Sequence, residues 1–349
     1  MTSMKSTPPL DLPRLGDWLE RHVAGFHGLR QAKPLTGGNS NPIWKLEADS
    51  GIYVLRTQPA GELLQSAHAL DREYRVISAL QNGAIPIAPV HALCNDPDVI
   101  GVQFYLMDFL EGDVFRNPAL PGKSNAERTA IFNAAIDMLA RIHSVDVDRV
   151  GLSDFGRQGN YFERQLHRWS KQVATALPDG DATLDALIGK LRQQLPEDDP
   201  PAVLLHGDSR LDNLMFSSES QILAVLDWEL STLGDPLADL GQFLAVLDLP
   251  PDYLLPGLRG LDRAALGIPS ETSMATRYFE ATRRPHVDLK FYKAFALFRQ
   301  AAMSAGLRRR ALLGTAVSDQ ALAFGNSLDT FAGLGLEILN GGQAGNHAL

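Results

Sequence analysis

A short polar run held between apolar ones constrains this chain more than any other feature. His206-Gly207-Asp208-Ser209-Arg210-Leu211-Asp212-Asn213 lies between Val203-Leu204-Leu205 and Leu214-Met215-Phe216, and a third apolar run from Ile222 to Leu226 ends at Asp227. Short apolar, β-branched runs read as strands, so the polar groups between them project from a loop at strand ends. Asp208, Asn213 and Asp227 then carry oxygen-bearing side chains on neighbouring strand ends, where they can converge. A carboxylate and amide oxygen set is what Mg2+ selects.

The flanking segments differ in pattern. Leu12, Leu15, Leu19 and Val23 recur at helical spacing, and Ile43 to Leu46 with Ile52 to Arg56 read as a strand pair turning at Asp49-Ser50-Gly51. Ala69, Leu70, Tyr74, Ile77 and Leu80 predict an amphipathic helix over 66–81 stopped by Asn82-Gly83, and the runs 90–94 and 99–109 read as strands. Residues 1–110 thus predict a small α+β lobe. Residues 111–349 read as mainly helical around the polar island, with helices predicted over 125–143, 160–177, 181–195, 236–247, 271–282, 288–312 and 317–339. A chain of 349 residues has room for such a pair, at roughly 150 residues per domain.

Composition excludes several classes. Thirty-two basic against 41 acidic residues, a formal net charge of −9, argue against nucleic-acid binding through a broadly basic surface. Cys94 is the sole cysteine, which excludes an intrachain disulfide and multi-cysteine zinc sites and suits a reducing, cytoplasmic compartment. No run of about 18 apolar residues predicts a membrane span. The opening residues, with Asp11, Asp17 and Glu20, lack the apolar core of a secretory leader.

The order of Asp208, Asn213 and Asp227 is that of a kinase active site. The HGDSRLDN run with Leu226-Asp227-Trp228-Glu229 resembles the aminoglycoside phosphotransferase and choline kinase-like family, which shares the protein-kinase fold and carries His-Gly-Asp for His-Arg-Asp. Gly37 to Asn41 and the runs 66–76, 100–112 and 160–169 look more narrowly like the kinase-like domain associated with acyl-CoA dehydrogenases. The resemblance covers about residues 30–330. It implies a bilobal α+β fold, a small N-terminal lobe with an antiparallel sheet and a larger, mostly helical C-terminal lobe, with ATP and Mg2+ as cofactors.

Carried over residue by residue, the resemblance implies that Asp208 is the catalytic base and that Asn213 and Asp227 ligate Mg2+. Arg210, two residues after Asp208, touches the γ-phosphate. Arg56 stands where most kinases place a phosphate-binding lysine, paired with Glu73. This departs from the family pattern, because a guanidinium is always charged and pairs through a fork of donors. Gly38, Asn39, Ser40 and Asn41 form the turn over the phosphates, and Met107 to Leu110, including Phe109, form the hinge that reads adenine.

Other polar residues have simpler readings. His206 braces the backbone, Asp212 faces solvent, and Glu229 takes a surface or cap role ahead of a metal role. Asp235 with Pro236 is helix-start chemistry. By the resemblance, Asp239 braces the catalytic loop from below. Phe162, Leu166, Trp169 and Val173 form a core stripe, and Arg308-Arg309-Arg310 a solvated helix end.

The function expected is ATP- and Mg2+-dependent phosphorylation of a small-molecule hydroxyl. The resemblance favours a hydroxyacyl-CoA and a functional link to an acyl-CoA dehydrogenase, without flavin chemistry in this chain. The alternatives are a kinase of an amino alcohol, aminoglycoside or amino-acid hydroxyl, and a nucleotide-binding pseudokinase. Neither a nucleic-acid nor a membrane partner is expected.

Overall fold

A computed structural model describes residues 10–35, 41–59, 70–197, 200–313 and 319–341. The chain divides into two compact units, the first running to Asp113 and also taking Leu223–Ser231, the second holding the rest.

In the first unit, α1 (Leu12–His22) starts where the Asp11 side chain accepts the Arg14 N–H at 3.1 Å, with proline in its first turn. It is followed by β1 (Leu29–Pro34), β2 (Ile43–Ala48), β3 (Gly51–Thr57), α2 (Leu70–Leu80), β4 (Val90–Cys94), α3 (Pro97–Ile100) and β5 (Phe104–Asp108). The five strands form one antiparallel sheet in the order β1-β2-β3-β5-β4. Leu15, Trp18 and Leu19 of α1 pack on Trp44, Leu46, Leu55, Phe104 and Leu106 of the sheet, with Trp18 edge-on to Phe104 at 5.1 Å. Burying each such side chain stabilises by about 1.5–3 kcal/mol, and this holds α1 to the sheet.

The predicted strand over 99–109 is shorter than expected. Asp96 accepts the Asp98 N–H and starts the single turn α3, which ends at Gly101 with φ 85°, so the strand begins only at Phe104. The predicted helix over 66–81 is described from Leu70 onward. On α2, Leu70, Glu73, Val76, Ile77 and Leu80 share the buried face, which takes the Glu73 carboxylate inward with its apolar neighbours.

In the larger unit, β6 (Asp113–Val114) straddles the unit boundary and leads to α4 (Asn125–Ile142), which opens on a Ser124/Glu127 capping box, then α5 (Tyr161–Ala176) and α6 (Ala182–Gln193). β7 (Val203–Leu205), a 3-10 turn at Leu211–Asn213, β8 (Leu214–Phe216), β9 (Ile222–Val225) and β10 (Thr232–Gly234) make up the island. The three-residue β10 is too short to show periodicity in sequence, and it pairs antiparallel with β7, Leu233 opposite Leu204. The helices α7 (Leu237–Leu247), α8 (Glu271–Thr282) and α9 (Lys290–Leu312) follow.

The predicted helix over 317–339 is two helices, α10 (Asp319–Gly325) and α11 (Leu328–Leu339), broken at Asn326-Ser327. Gly325 lies so close to α9 that a Cβ there would come within 2.9 Å of the Arg308 N. Phe162 packs among Phe291, Tyr292 and Phe295 at 5.0–5.3 Å, and Leu166 and Val173 are also buried, so this stripe is core. Arg308, Arg309 and Arg310 are exposed at the end of α9. Among the described residues, no helix is long and apolar enough to cross a membrane.

Candidate active site

In the first unit the site is built around Arg56. It sits on β3 opposite Ile43 and Tyr105, with its side chain only 8% exposed. Its Nε lies 2.8 Å from Glu73 Oε2, and its Nη2 lies 2.8 Å from Asp227 Oδ1 and 3.4 Å from Glu229 Oε2. The Arg56–Glu73 contact is a charge pair rather than an aligned hydrogen bond, since neither facing atom has a hydrogen-bond partner. Glu229 also accepts from Asn41 Nδ2 at 3.4 Å. It is therefore neither a surface residue nor a cap, and its spacing two residues after Asp227 was the available sequence signal.

One guanidinium thus faces three carboxylates, and the excess negative charge shapes every ionisation in the cluster. Burial, reinforced by Asp227 and Glu229 and opposed by Arg56, pushes the Glu73 carboxyl up to about 7. Burial works against the charge on Arg56, but Glu73, Asp227 and Glu229 outweigh it and hold the guanidinium protonated. The Tyr105 phenol, hydrogen-bonded to Glu73, is driven well above its ordinary range by burial and by that neighbouring carboxylate.

Asn41 is 1% exposed and its Oδ1 has no hydrogen-bond partner. Gly38, Asn39 and Ser40 lie outside the described residues. In the hinge segment, Met107 pairs with Val54 and Val90, the Asp108 N–H donates to Pro89 O at 2.9 Å and the Phe109 N–H to Ile52 O at 3.4 Å. The Phe109 ring carries Lys45 Nζ at 4.5 Å from its centre. With those two amides engaged, reading of a base by this segment falls to its other backbone groups.

In the larger unit the site is built around Asp208. Asn213 Nδ2 donates to the Asp208 backbone carbonyl at 2.7 Å and to its carboxylate Oδ2 at 3.1 Å, which leaves the Asn213 amide oxygen as the remaining acceptor. Arg210 bridges two carboxylates, its Nε 3.3 Å from Asp208 Oδ1 and its Nη2 3.3 Å from Asp212 Oδ2. Asp212 therefore does not simply face solvent. Burial raises its pKa, with Arg210 pulling the other way.

Beneath the loop, Asp239 accepts the His206 N–H at 2.7 Å on Oδ2 and the Gly207 N–H at 3.0 Å on Oδ1, and its backbone carbonyl accepts the Ser209 hydroxyl at 2.6 Å. His143 Nε2 reaches Asp239 Oδ2 at 3.3 Å, and His143 Nδ1 lies 2.6 Å from the Tyr278 hydroxyl. Donation from Nε2 to the carboxylate makes Nδ1 the acceptor for Tyr278. Burial alone would raise the Asp239 pKa, yet the His143 hydrogen bond and the charges of His143 and His206 lower it overall. His206 accepts the Asp208 N–H on Nδ1 at 3.3 Å, a backbone brace. Asp235 accepts the Leu237 N–H at 2.8 Å and starts α7 as expected, with Pro236 just before the first helical residue.

The fitness of these residues for Mg2+ can be judged from their donors. Among the described residues, no three His, Cys, Asp or Glu side chains form a ligand set by themselves. Asn213 and Asp227 offer one amide and one carboxylate oxygen, the hard partial set that suits Mg2+ when phosphate oxygens and water complete it. The uncompensated negative charge beside Asp227 favours a cation for the same reason.

Residues 31–275 match the model of the phosphotransferase enzyme family. The chain is 40% identical over 326 residues to mouse acyl-CoA dehydrogenase family member 10, covering 91% of this chain and 30% of that protein. It is 34% identical over 335 residues to human acyl-CoA dehydrogenase family member 11, covering 94% and 43%. The chain thus spans well under half the length of these relatives. A crystal structure from Ralstonia eutropha, named for the aminoglycoside phosphotransferases, superposes with a TM-score of 0.86 at 42% identity over 95% of this chain and 99% of that one. Spectinomycin phosphotransferase, solved with ADP and spectinomycin, superposes with a TM-score of 0.60 at 13% identity over 95% and 99%, a likeness of fold.

Proposed function

Because the chain belongs to the phosphotransferase enzyme family of small-molecule kinases, we propose that it transfers the γ-phosphoryl group of ATP to an alcohol, with Asp208 as the base. The observation that carries this reading is the fixed setting of Asp208, whose backbone carbonyl and carboxylate are both held by Asn213 and whose other carboxylate oxygen faces Arg210.

Asp208 orients the acceptor hydroxyl and takes its proton as the oxygen attacks phosphorus. Arg210, already between Asp208 and Asp212, is placed to neutralise phosphate charge from that side, and its fork lets it keep one carboxylate while engaging an oxyanion. Arg56 holds ATP phosphates, oriented by Glu73 in the role a lysine usually fills, and Asn41 lines the same cluster. The Met107 to Leu110 segment receives the base. Asn213 and Asp227 would hold Mg2+, which when bound neutralises phosphate charge and aligns the transferring group. For a loose transition state the work is mainly positioning and charge neutralisation.

For the acceptor we favour a hydroxyacyl-CoA, processed in the cytoplasm alongside an acyl-CoA dehydrogenase. The relatives named for that dehydrogenase support this choice, as does the chemistry: a phosphorylated hydroxyl becomes a leaving group. The test is ADP release with ATP, Mg2+ and a panel of 4-hydroxyacyl-CoAs, amino alcohols and aminoglycosides, with Asp208→Ala as control. Turnover with the CoA esters that vanishes in the variant is expected. Turnover with only the amino alcohols or aminoglycosides would overturn the acceptor, and nucleotide binding without turnover on any alcohol would overturn the enzyme.

A further inference from the structure

We propose that Arg299 is a positioning residue for Asp208, acting through the peptide bond between Gly207 and Asp208. The inference rests on the reading of Asp208 as the base. Arg299 lies in the middle of α9, 7% exposed, and its Nη2 donates to the Gly207 carbonyl across 92 residues of sequence. The N–H on the other edge of that same peptide unit, that of Asp208, donates to His206 Nδ1 at 3.3 Å. The peptide plane is therefore held at both edges.

Backbone freedom explains why that matters. Gly207 adopts φ 84°, in the left-handed region that glycine enters without steric cost, so sterics alone leave its torsions loosely restrained. The Gly207–Asp208 plane can then turn about the Gly207 Cα–C bond unless both its polar edges are bound. Such a turn would swing the Asp208 Cα–Cβ vector, and with it the carboxylate, away from Asn213. Asp239 fixes the amides of His206 and Gly207 on the near side of that bond, and Asn213 fixes the Asp208 carbonyl on the far side. Arg299 fixes the carbonyl between them.

A purely packing role would be filled more cheaply by Met or Leu, because taking a guanidinium out of water costs several kcal/mol. What surrounds Arg299 is polar and specific. The Tyr161 phenol hydrogen-bonds to it from α5, and Tyr161 also lies in the field of Asp235 and Asp239, both buried. Arg299 thereby ties α5 and α9 to the one carbonyl that precedes the base.

The test compares Arg299→Met and Arg299→Lys with the wild-type chain, by steady-state kinetics and by hydrogen exchange over residues 203–213. For Arg299→Met, kcat is expected to fall by about tenfold to a hundredfold, the usual cost of a misplaced catalytic group. KM for ATP should stay within about twofold, since ground-state binding is untouched. Amide exchange in the loop should rise about tenfold while that of α4 is unchanged, and Arg299→Lys should recover part of both losses. Unchanged loop exchange, or a kcat loss matched by the loss of folded protein, would overturn the role. If Arg299→Met does not fold, Tyr161→Phe should produce the same pattern at smaller size, and a Tyr161→Phe protein with wild-type kcat and loop exchange would overturn it. Exchange is read without substrate, so a wild-type chain inactive on every alcohol would sink the phosphotransfer reading while the loop measurement still decides the role of Arg299.

Discussion

Arg56 Nη2 lies 2.8 Å from the Asp227 carboxylate. The same guanidinium faces Glu73 through its Nε, so one side chain of β3 ties α2 to the segment that follows β9. A lysine in that place would offer a single point charge, whereas the planar fork reaches both carboxylates at once.

Arg56→Met is expected to destabilise the first unit by about 3–5 kcal/mol, because it leaves buried carboxylates without their cation. Arg56→Lys should cost less and should show its effect as weaker nucleotide binding. Chemical denaturation and nucleotide titration of both variants check this, and an Arg56→Met protein as stable as wild type would contradict it.

The raised carboxyl of Glu73 sets a pH dependence for the metal-free, nucleotide-free protein. Its folded pKa of about 7 lies above the ordinary 4.5, so the folded chain binds a proton that the unfolded chain has released. That contribution is full below about pH 4.5 and is lost as the pH rises through about 7, for a total near 3 kcal/mol. Denaturation midpoints across this window should show the decline, and Glu73→Gln should flatten it.

Asp208→Asn should abolish proton acceptance while keeping the bond to Asn213, so turnover should fall by roughly 10²–10⁴. Nucleotide binding should survive, because the phosphate-holding residues proposed in the first unit are untouched. A variant retaining a tenth of wild-type turnover would remove Asp208 from the role of base.

Asp239→Asn replaces an acceptor of two backbone N–H groups with a side chain that presents N–H to one of them. Loss of stability by about 2–4 kcal/mol is expected, together with raised exchange at His206 and Gly207. Tyr278→Phe removes only the outer bond to His143 and should cost about 1 kcal/mol.

Gly241→Ala tests the packing beneath the site. A Cβ at this α7 position would come 2.6 Å from the Tyr292 backbone, and that backbone cannot rotate away as a side chain can. Overpacking should cost about 1–3 kcal/mol, seen as a lowered thermal midpoint.

Much of this protein is visible along the chain because periodicity and spacing are local. The Leu12 to Val23 pattern predicts α1, the island predicts β7 to β9, and the Asp208, Asn213 and Asp227 spacing singles out the oxygens the site uses. Where two local signals competed, sequence reading failed: Pro97 and Gly101 broke a run that looked like strand, and the approach of Gly325 to α9 split a helix whose periodicity continued across the break. Asp212 and Glu229 were misread for another reason. A carboxylate's surroundings depend on which cation the fold brings near, and nothing in either residue's own neighbourhood announced Arg210 or Arg56 as a partner with a particular geometry.

The sequence by itself determined most of the element types and the identity of the polar island, since each depends on residues close together in the chain; that Leu223–Ser231 belong with the first unit did not follow from it. Tertiary structure alone decided that Glu73, Asp227 and Glu229 share Arg56, that His143 and Tyr278 stand behind Asp239, and that Arg299 reaches the carbonyl before Asp208. Those pairings join residues up to 173 positions apart, and what selects them is the high cost of burying a charge or a backbone dipole without a partner.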